Sequence, residues 1–281
     1  MTTKTRHRGT KATATSTATL TATALAAGLL LTGCSFGSLV SRGGPEKSAS
    51  ADATVAEAVT AVEVSDSGSG SIEVVVGSGP GVVVGRTVHY HGDTVPEPAQ
   101  RLSGGVLTLT SGDCSGRCSV DYRLEVPASA TVRAKSSSGR VTVSGVAAAN
   151  VVTSSGGVRV ERIAGALEVG TASGPVRADR IAGPLKVRTS SGSITAGELS
   201  GTGADARSDS GDVRLAFTTA PASIAVRTSS GEAKLKVPAA PYALDVATDS
   251  GTRDITLPAT PSAAARLAVT TSSGDIHISA A

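Results

Sequence analysis

A Ser-Gly pair recurs through the latter half of this 281-residue chain, its glycine falling at Gly139, Gly156, Gly174, Gly192, Gly211, Gly231, Gly251 and Gly274. Successive copies lie 17 to 23 residues apart. A unit this small cannot close a core alone, so the period suits stacked windings that share one. Counted from each glycine as zero, position −1 is always Ser. Position −3 is always Thr or Ser: Ser136, Thr153, Thr171, Thr189, Ser208, Thr228, Thr248 and Thr271. Positions −7 and −5 are small or aliphatic, as in Leu185/Val187 and Ile224/Val226, and +2 and +4 are apolar in seven copies, as in Val141/Val143 and Ile276/Ile278. The copy at Gly251 has Arg253 at +2, and alternation resumes at Ile255 and Leu257.

Residues −7, −5, −3 and −1 share one face of a strand, because successive side chains alternate. Were that strand to continue, +1 and +3 would follow on the same face, yet the apolar residues sit at +2 and +4. The chain must change register at the glycine, and a positive φ, which glycine adopts without penalty, is the expected means. Each repeat then reads as a strand, a Ser-Gly corner, a second strand and a return such as residues 162–166 or 180–184. The hydroxyl at −3 is expected at the inner edge of the corner, satisfying backbone groups that the bend exposes. The fold class is all-β: a single-stranded parallel β-helix (solenoid) of about eight 17–23-residue coils with an irregular N-terminal β cap. At about 4.8 Å per coil, eight copies rise about 40 Å. A sandwich of hairpins would show the same alternation but has no reason to hold one period through eight copies. The final repeat stops at Ile278 with no polar cap after it, which leaves that end covered by a partner or open as a sticky edge. Five aromatic residues and no Trp, in a chain that is 40% apolar, leave an aliphatic filling that fits a narrow lumen.

Upstream of the repeats the signals are of another kind. Lys4, Arg6, Arg8 and Lys11 precede an apolar run from Leu20 to Leu31, and the run ends in Leu31-Thr-Gly-Cys34. Charged and apolar regions in this order read as an export signal, too short for the roughly 20 apolar residues that span a bilayer. The tetrapeptide resembles the bacterial lipobox, which implies that Cys34 becomes the lipidated mature N-terminus. Residues 1–33 then form a lipoprotein signal peptide, 34–58 a flexible linker rich in Ser, Gly and Ala, 59–127 an N-terminal β region, and 128–281 the solenoid. The expected location is the extracytoplasmic face of the cell membrane, held there by lipid at Cys34. The net charge of +3 does not survive removal of the leader: 22 basic side chains remain against 23 acidic ones, and a nucleic-acid partner loses its electrostatic basis. Assigning Cys34 to lipid leaves Cys114 and Cys118, four residues apart, for a local disulfide. Zinc is disfavoured, since the spacing is not CxxC and no second pair lies near.

The Cys-linked strand, residues 120–127 and the downstream Ser-Gly-x-Val-x-Val pattern together resemble the putative adhesin family of β-strand-repeat proteins, a domain of unknown function found in bacterial envelope proteins. The resemblance covers roughly residues 60–280. It implies an extracytoplasmic solenoid without established catalytic residues.

Signals for catalysis are weak. Gly33-Cys-Ser-Phe-Gly37 fits G-x-S-x-G but straddles the lipobox and lacks a strand-turn-helix setting. His89, His91 and Asp93 alternate and could share a strand face, but read better as an exposed polar edge than as a metal site. Asp209, Asp212, Asp249 and Asp275 fall at corners and read as solvated turn acids. No catalytic residue, metal or cofactor is assigned. One outward pattern stands out: positions −4 and +3 carry Lys135, Arg159, Arg177, Arg188, Arg207, Arg214, Arg227 and Lys234, which stacking would align into two stripes. An anionic cell-wall polymer or an envelope protein is the partner such stripes would suit, unless acids at −6 (Glu168, Asp205, Asp245) neutralise them. The expected role is a non-catalytic binding, adhesion or scaffold module, with a polysaccharide-modifying enzyme on a β-helix or an envelope-stress accessory protein as the alternatives.

Overall fold

Twenty-three strands and no helix form over the residues described in the computed structural model, which are 45–112, 114 and 118–281. In chain order they are β1 (Lys47–Val55), β2 (Ala61–Ser65), β3 (Ile72–Val76), β4 (Val82–Tyr90), β5 (Ala99–Ser103), β6 (Val106–Thr110), β7 (Ser119–Val126), β8 (Thr131–Ser136), β9 (Val141–Ser144), β10 (Ala148–Thr153), β11 (Val158–Ile163) and β12 (Leu167–Thr171). There follow β13 (Val176–Ile181), β14 (Leu185–Thr189), β15 (Ile194–Leu199), β16 (Gly203–Ser208), β17 (Val213–Phe217), β18 (Ser223–Ser230), β19 (Ala233–Val237), β20 (Ala243–Ser250), β21 (Arg253–Ile255), β22 (Arg266–Ser273) and β23 (Ile276–Ala280).

Each winding lays one strand in each of two sheets. From β8 to β19 the even-numbered strands pair side by side in one sheet and the odd-numbered strands in the other, all parallel and level with their neighbours. Inward positions therefore line up into apolar columns. Val151, Val169, Val187, Ala206 and Val226 form one, each no more than 2% exposed. Val158, Val176, Ile194 and Val213 form another on the facing sheet. Each such buried branched side chain contributes roughly 1.5–3 kcal/mol. The expected β-solenoid is present, with ten two-stranded windings in place of about eight, because β2/β3 and β6/β7 are regular windings as well.

The order of windings departs from the order of the chain at both ends. β6/β7 stacks outside β2/β3, and β22/β23 slots between β18/β19 and β20/β21. The final repeat thus lies inside the stack, and the open end belongs to β20 and β21. Arg253 pairs level with buried Ile276, so the copy at Gly251 keeps register, and its guanidinium donates to the Val246 carbonyl at 3.2 Å across the mouth of the lumen. A charged side chain thus occupies the inward position at the open end of the stack. At the opposite end antiparallel strands close the sheets: β4 and β1 beyond β7, and β5 beyond β6. β1 corrects the expectation of a flexible linker over 34–58, since nine residues from Lys47 to Val55 pair with β4.

Six of the eight corner glycines are explained by packing and not by φ; Gly251 and Gly274 combine the same packing with φ of 153° and 158°. Gly139, Gly156, Gly174, Gly192, Gly211 and Gly231 do not have positive φ. A Cβ added to Gly174 would lie 1.9 Å from the Gly156 carbonyl oxygen, and the same contact recurs from Gly139 to Gly251, with Gly70 as an additional member below Gly139. Stacked corners touch backbone to backbone, leaving no volume for a methyl group. The hydroxyls at −3 are buried except for half-buried Thr248, and from Gly139 to Gly211 they accept hydrogen bonds from the glycine amides, at 3.1 Å for Thr153–Gly156, 3.0 Å for Thr171–Gly174 and 2.9 Å for Thr189–Gly192. The serine at −1 does not share their face. It is exposed in every copy, because the inward run ends at −3.

Three of the four non-glycine residues with a left-handed backbone, all but Asp66, sit in the second strand of the winding. Arg162, Arg180 and Glu198 have φ of 55°, 57° and 50°, level with Gly145 at 81°. Each inserts one extra residue, so that Val146, Ile163, Ile181 and Leu199 again point inward.

Candidate functional site

Register decides what the predicted cations form. On the sheet of even-numbered strands, Arg188, Arg207 and Arg227 stand side by side, but Val152 and Gly170 separate them from Lys135. On the other sheet Arg159 adjoins Arg177 and Arg214 adjoins Lys234, with Thr195 between the pairs. Much of this charge is met internally. Asp205 lies 3.0 Å from Arg207 and 3.7 Å from Arg188, Glu168 lies 2.5 Å from Lys186, and Arg159 meets Glu161 at 2.5 Å. The Lys186 ammonium holds the Glu168 carboxyl below its usual range by hydrogen bonding and charge. Arg214 lies 2.5 Å from Glu232 and 3.1 Å from Asp212; burial pulls its pKa down, the two carboxylates outweigh that, and the net shift is upward. Among the described residues, Lys135, Arg177, Arg227 and Lys234 have no carboxylate at ion-pair distance.

An open depression lies at the Ser-Gly corner of three successive windings, lined by Ser138, Arg140, Ser155, Gly157, Arg159, Pro175 and Arg177. Arg140 is absent from the sequence-based stripe because it stands at +1 and not +3. Its signal was the +1 column itself: Arg140, Gly157 and Pro175 where later windings carry Asp212, Glu232 and Asp275.

The other sequence candidates separate. His89 hydrogen-bonds Asp121 at 2.9 Å, and Asp93 lies 3.0 Å from Lys47. No group of three His, Cys, Asp or Glu that could hold a metal occurs among the described residues. Asp121 also accepts from the Ser71 amide at 2.6 Å and its hydroxyl at 2.8 Å. The carboxylate therefore sits in the middle, and His89 cannot take the serine proton as a nucleophilic triad requires. Burial raises the Asp121 pKa, but the Ser71 and His89 hydrogen bonds prevail and leave it lowered. Asp212 accepts from the Glu232 amide at 2.9 Å, and Asp275 from the Thr252 amide at 2.8 Å and its hydroxyl at 2.7 Å, so both acids bind the neighbouring winding. Cys114 and Cys118 are joined by a disulfide with Cα atoms 5.4 Å apart. Cys34 and the G-x-S-x-G match around it lie outside the described residues.

The structure is similar to the crystal structure of a putative adhesin from Parabacteroides distasonis ATCC 8503, with a TM-score of 0.50 at 14% identity over 82% of this chain and 97% of that one. A putative adhesin from Parabacteroides merdae ATCC 43184 aligns with a TM-score of 0.39 at 10% identity, over 82% of this chain and 96% of that one. A putative cell adhesion protein from Clostridium sporogenes ATCC 15579 gives 0.24 at 10% identity, over 84% and 100%. A search of the curated proteins finds no match. The first similarity bears on the fold alone, and the sequence profile of Toastrack DUF4097 matches residues 87–280, more than half of the chain. With its parallel two-stranded windings and its repeated Ser-Gly corners, the chain belongs to the Toastrack DUF4097 family.

Proposed function

We propose that this chain is a non-catalytic binding or scaffold module of the cell envelope, tethered by lipid at Cys34 and displayed on the extracytoplasmic side. The observation that carries the reading is the register of the stack. Level windings turn single outward residues into columns of side chains at a fixed rise, a rigid surface suited to an extended partner. A polysaccharide-modifying enzyme would need two carboxylates facing across a cleft; here Asp212 and Asp275 are committed to the amides of adjacent windings. The order of leader, lipobox-like tetrapeptide and paired cysteines supports the location.

The tether is tested by expressing the full chain in a bacterial host with a lipoprotein export system and supplying a clickable palmitate analogue. The parent chain is expected to take up label, to fractionate with membranes and to be shaved by protease added to intact protoplasts, while Cys34→Ala loses the label. A parent chain that stays unlabelled and protease-resistant inside the cell would overturn the reading.

A further inference from the structure

We propose that the depression between Arg140, Arg159 and Arg177 is a binding site for a phosphate group. The proposal deepens the reading of the outer surface as a binding surface. The solenoid supplies its own comparison, because the same two positions recur on every winding. At three levels the +1 residue is an acid whose carboxylate accepts the +1 amide of the next winding: Asp121 from Ser71, Asp212 from Glu232 and Asp275 from Thr252. Where an arginine stands at +3 beside such acids, as Arg214 does, Asp212 and Glu232 hold it from both sides.

In the windings of Gly156 and Gly174 the arrangement lacks its anion. Arg159 and Arg177 are direct neighbours on adjacent strands, a pairing that like charges disfavour. The +1 positions beside them are Gly157 and Pro175, and the place from which an acid would meet the Gly157 amide is taken by a third cation, Arg140. Glu161 satisfies Arg159 from the far side; Arg140 and Arg177 have no carboxylate at ion-pair distance among the described residues. The contrast with Arg188 and Arg207 is direct, since Asp205 is interleaved there. Three guanidiniums against one carboxylate, with the Ser138 and Ser155 hydroxyls at the rim, match a group bearing about two negative charges and several acceptor oxygens. Gly157 gives the site its depth. A Cβ there would make ordinary contacts, 3.7 Å to Pro175, so the absent side chain is not demanded by packing.

The test titrates inorganic phosphate against the full chain in neutral detergent at low salt, followed by phosphorus NMR. Saturable binding is expected, weakened at least tenfold in Arg140→Ser and in Arg177→Ser, and unchanged in a triple Ser variant of Arg188, Arg207 and Arg227 on the other sheet. Gly157→Glu places a carboxylate where other windings have one. It is expected to abolish phosphate binding and to raise Tm by about 2–4 °C over Gly157→Gln. Linear polyphosphate, and phosphatidylcholine vesicles with and without phosphatidic acid, separate the sources: tighter binding to the first assigns a polymer, tighter binding to acidic vesicles a lipid headgroup, and no gain over inorganic phosphate a free ion. The site is refuted if none of the three probes binds, if binding persists in the Arg140→Ser/Arg177→Ser double variant, or if Gly157→Gln stabilises as much as Gly157→Glu. Phosphate binding by purified protein and palmitate labelling in cells can each fail without the other, so loss of the site leaves the tether standing.

Discussion

Gly174 and Glu198 show opposite limits on what a side chain may do in this stack. At Gly174 a methyl group would meet the Gly156 carbonyl carbon at 2.6 Å and its oxygen at 1.9 Å. Both are backbone atoms held by parallel ladders, so relief requires parting the windings. Gly174→Ala is therefore expected to destabilise the fold by about 3 kcal/mol. Glu198 is an exposed residue held at a φ of 50°, where a Cβ is disfavoured by roughly 1–2 kcal/mol. Gly145 occupies the same place three windings earlier in the stack, at 81°. Glu198→Gly is expected to stabilise by about 0.5–1 kcal/mol after the entropy that glycine loses on folding. Equilibrium urea unfolding reads both changes, and two shifts of the same sign would remove the distinction between a packing glycine and a conformational one. The sequence pattern marks the glycines and the −3 hydroxyls, but at six of the eight glycines the cause is packing and not the positive φ that the register change suggests. A small residue demanded by a neighbour's backbone and one demanded by φ look identical until the neighbour is in place.

Arg253 does for the terminal winding what a longer element would do elsewhere. β21 has three residues and β20 eight, and both expose an unpaired edge at the end of their sheets. Edge strands resist pairing with other chains when they are short or carry inward-pointing charge. Arg253 stands in an inward register, level with Ile276, and its bond to the Val246 carbonyl spans the gap between the two sheets. Arg253→Val would complete the apolar column and leave that carbonyl free. Sedimentation velocity over a concentration series is expected to show stronger self-association for the variant than for the parent. Equal distributions would mean that this side chain does not guard the edge. The break in alternation at Arg253 was visible in the sequence. Its meaning was not, because Gly251 precedes Gly274 in the chain but lies beyond it in the stack. The depression at Arg140 escaped notice for a related reason: its shape comes from residues 157 and 175 on two other windings, and only register brings them together.

Exchange of winding order at both ends makes the last segment a keystone for the molecule. β20 pairs with β22 and with no other named strand, and β21 pairs with β23 alone. A chain ending at Ala265 would lose two strands from the interior of the stack and leave the β20/β21 winding unpaired. That winding could close the gap by moving one level onto β18 and β19, since every winding offers similar columns. The connection from β19 argues against the move. Tyr242 is fully buried, its hydroxyl donates to the Pro238 carbonyl at 2.9 Å, and it bridges to Ala259, which together fix a turn that spans two levels. Closing up would withdraw that ring from its pocket, and exposing a buried aromatic side chain costs roughly 1.5–3 kcal/mol. Hydrogen exchange on the shortened chain is therefore expected to show lost protection across residues 243–255, with amides of β8 to β17 still protected. Protection retained over 243–255 would show instead that windings are interchangeable and that the repeat, not the turn at Tyr242, sets the order of the stack.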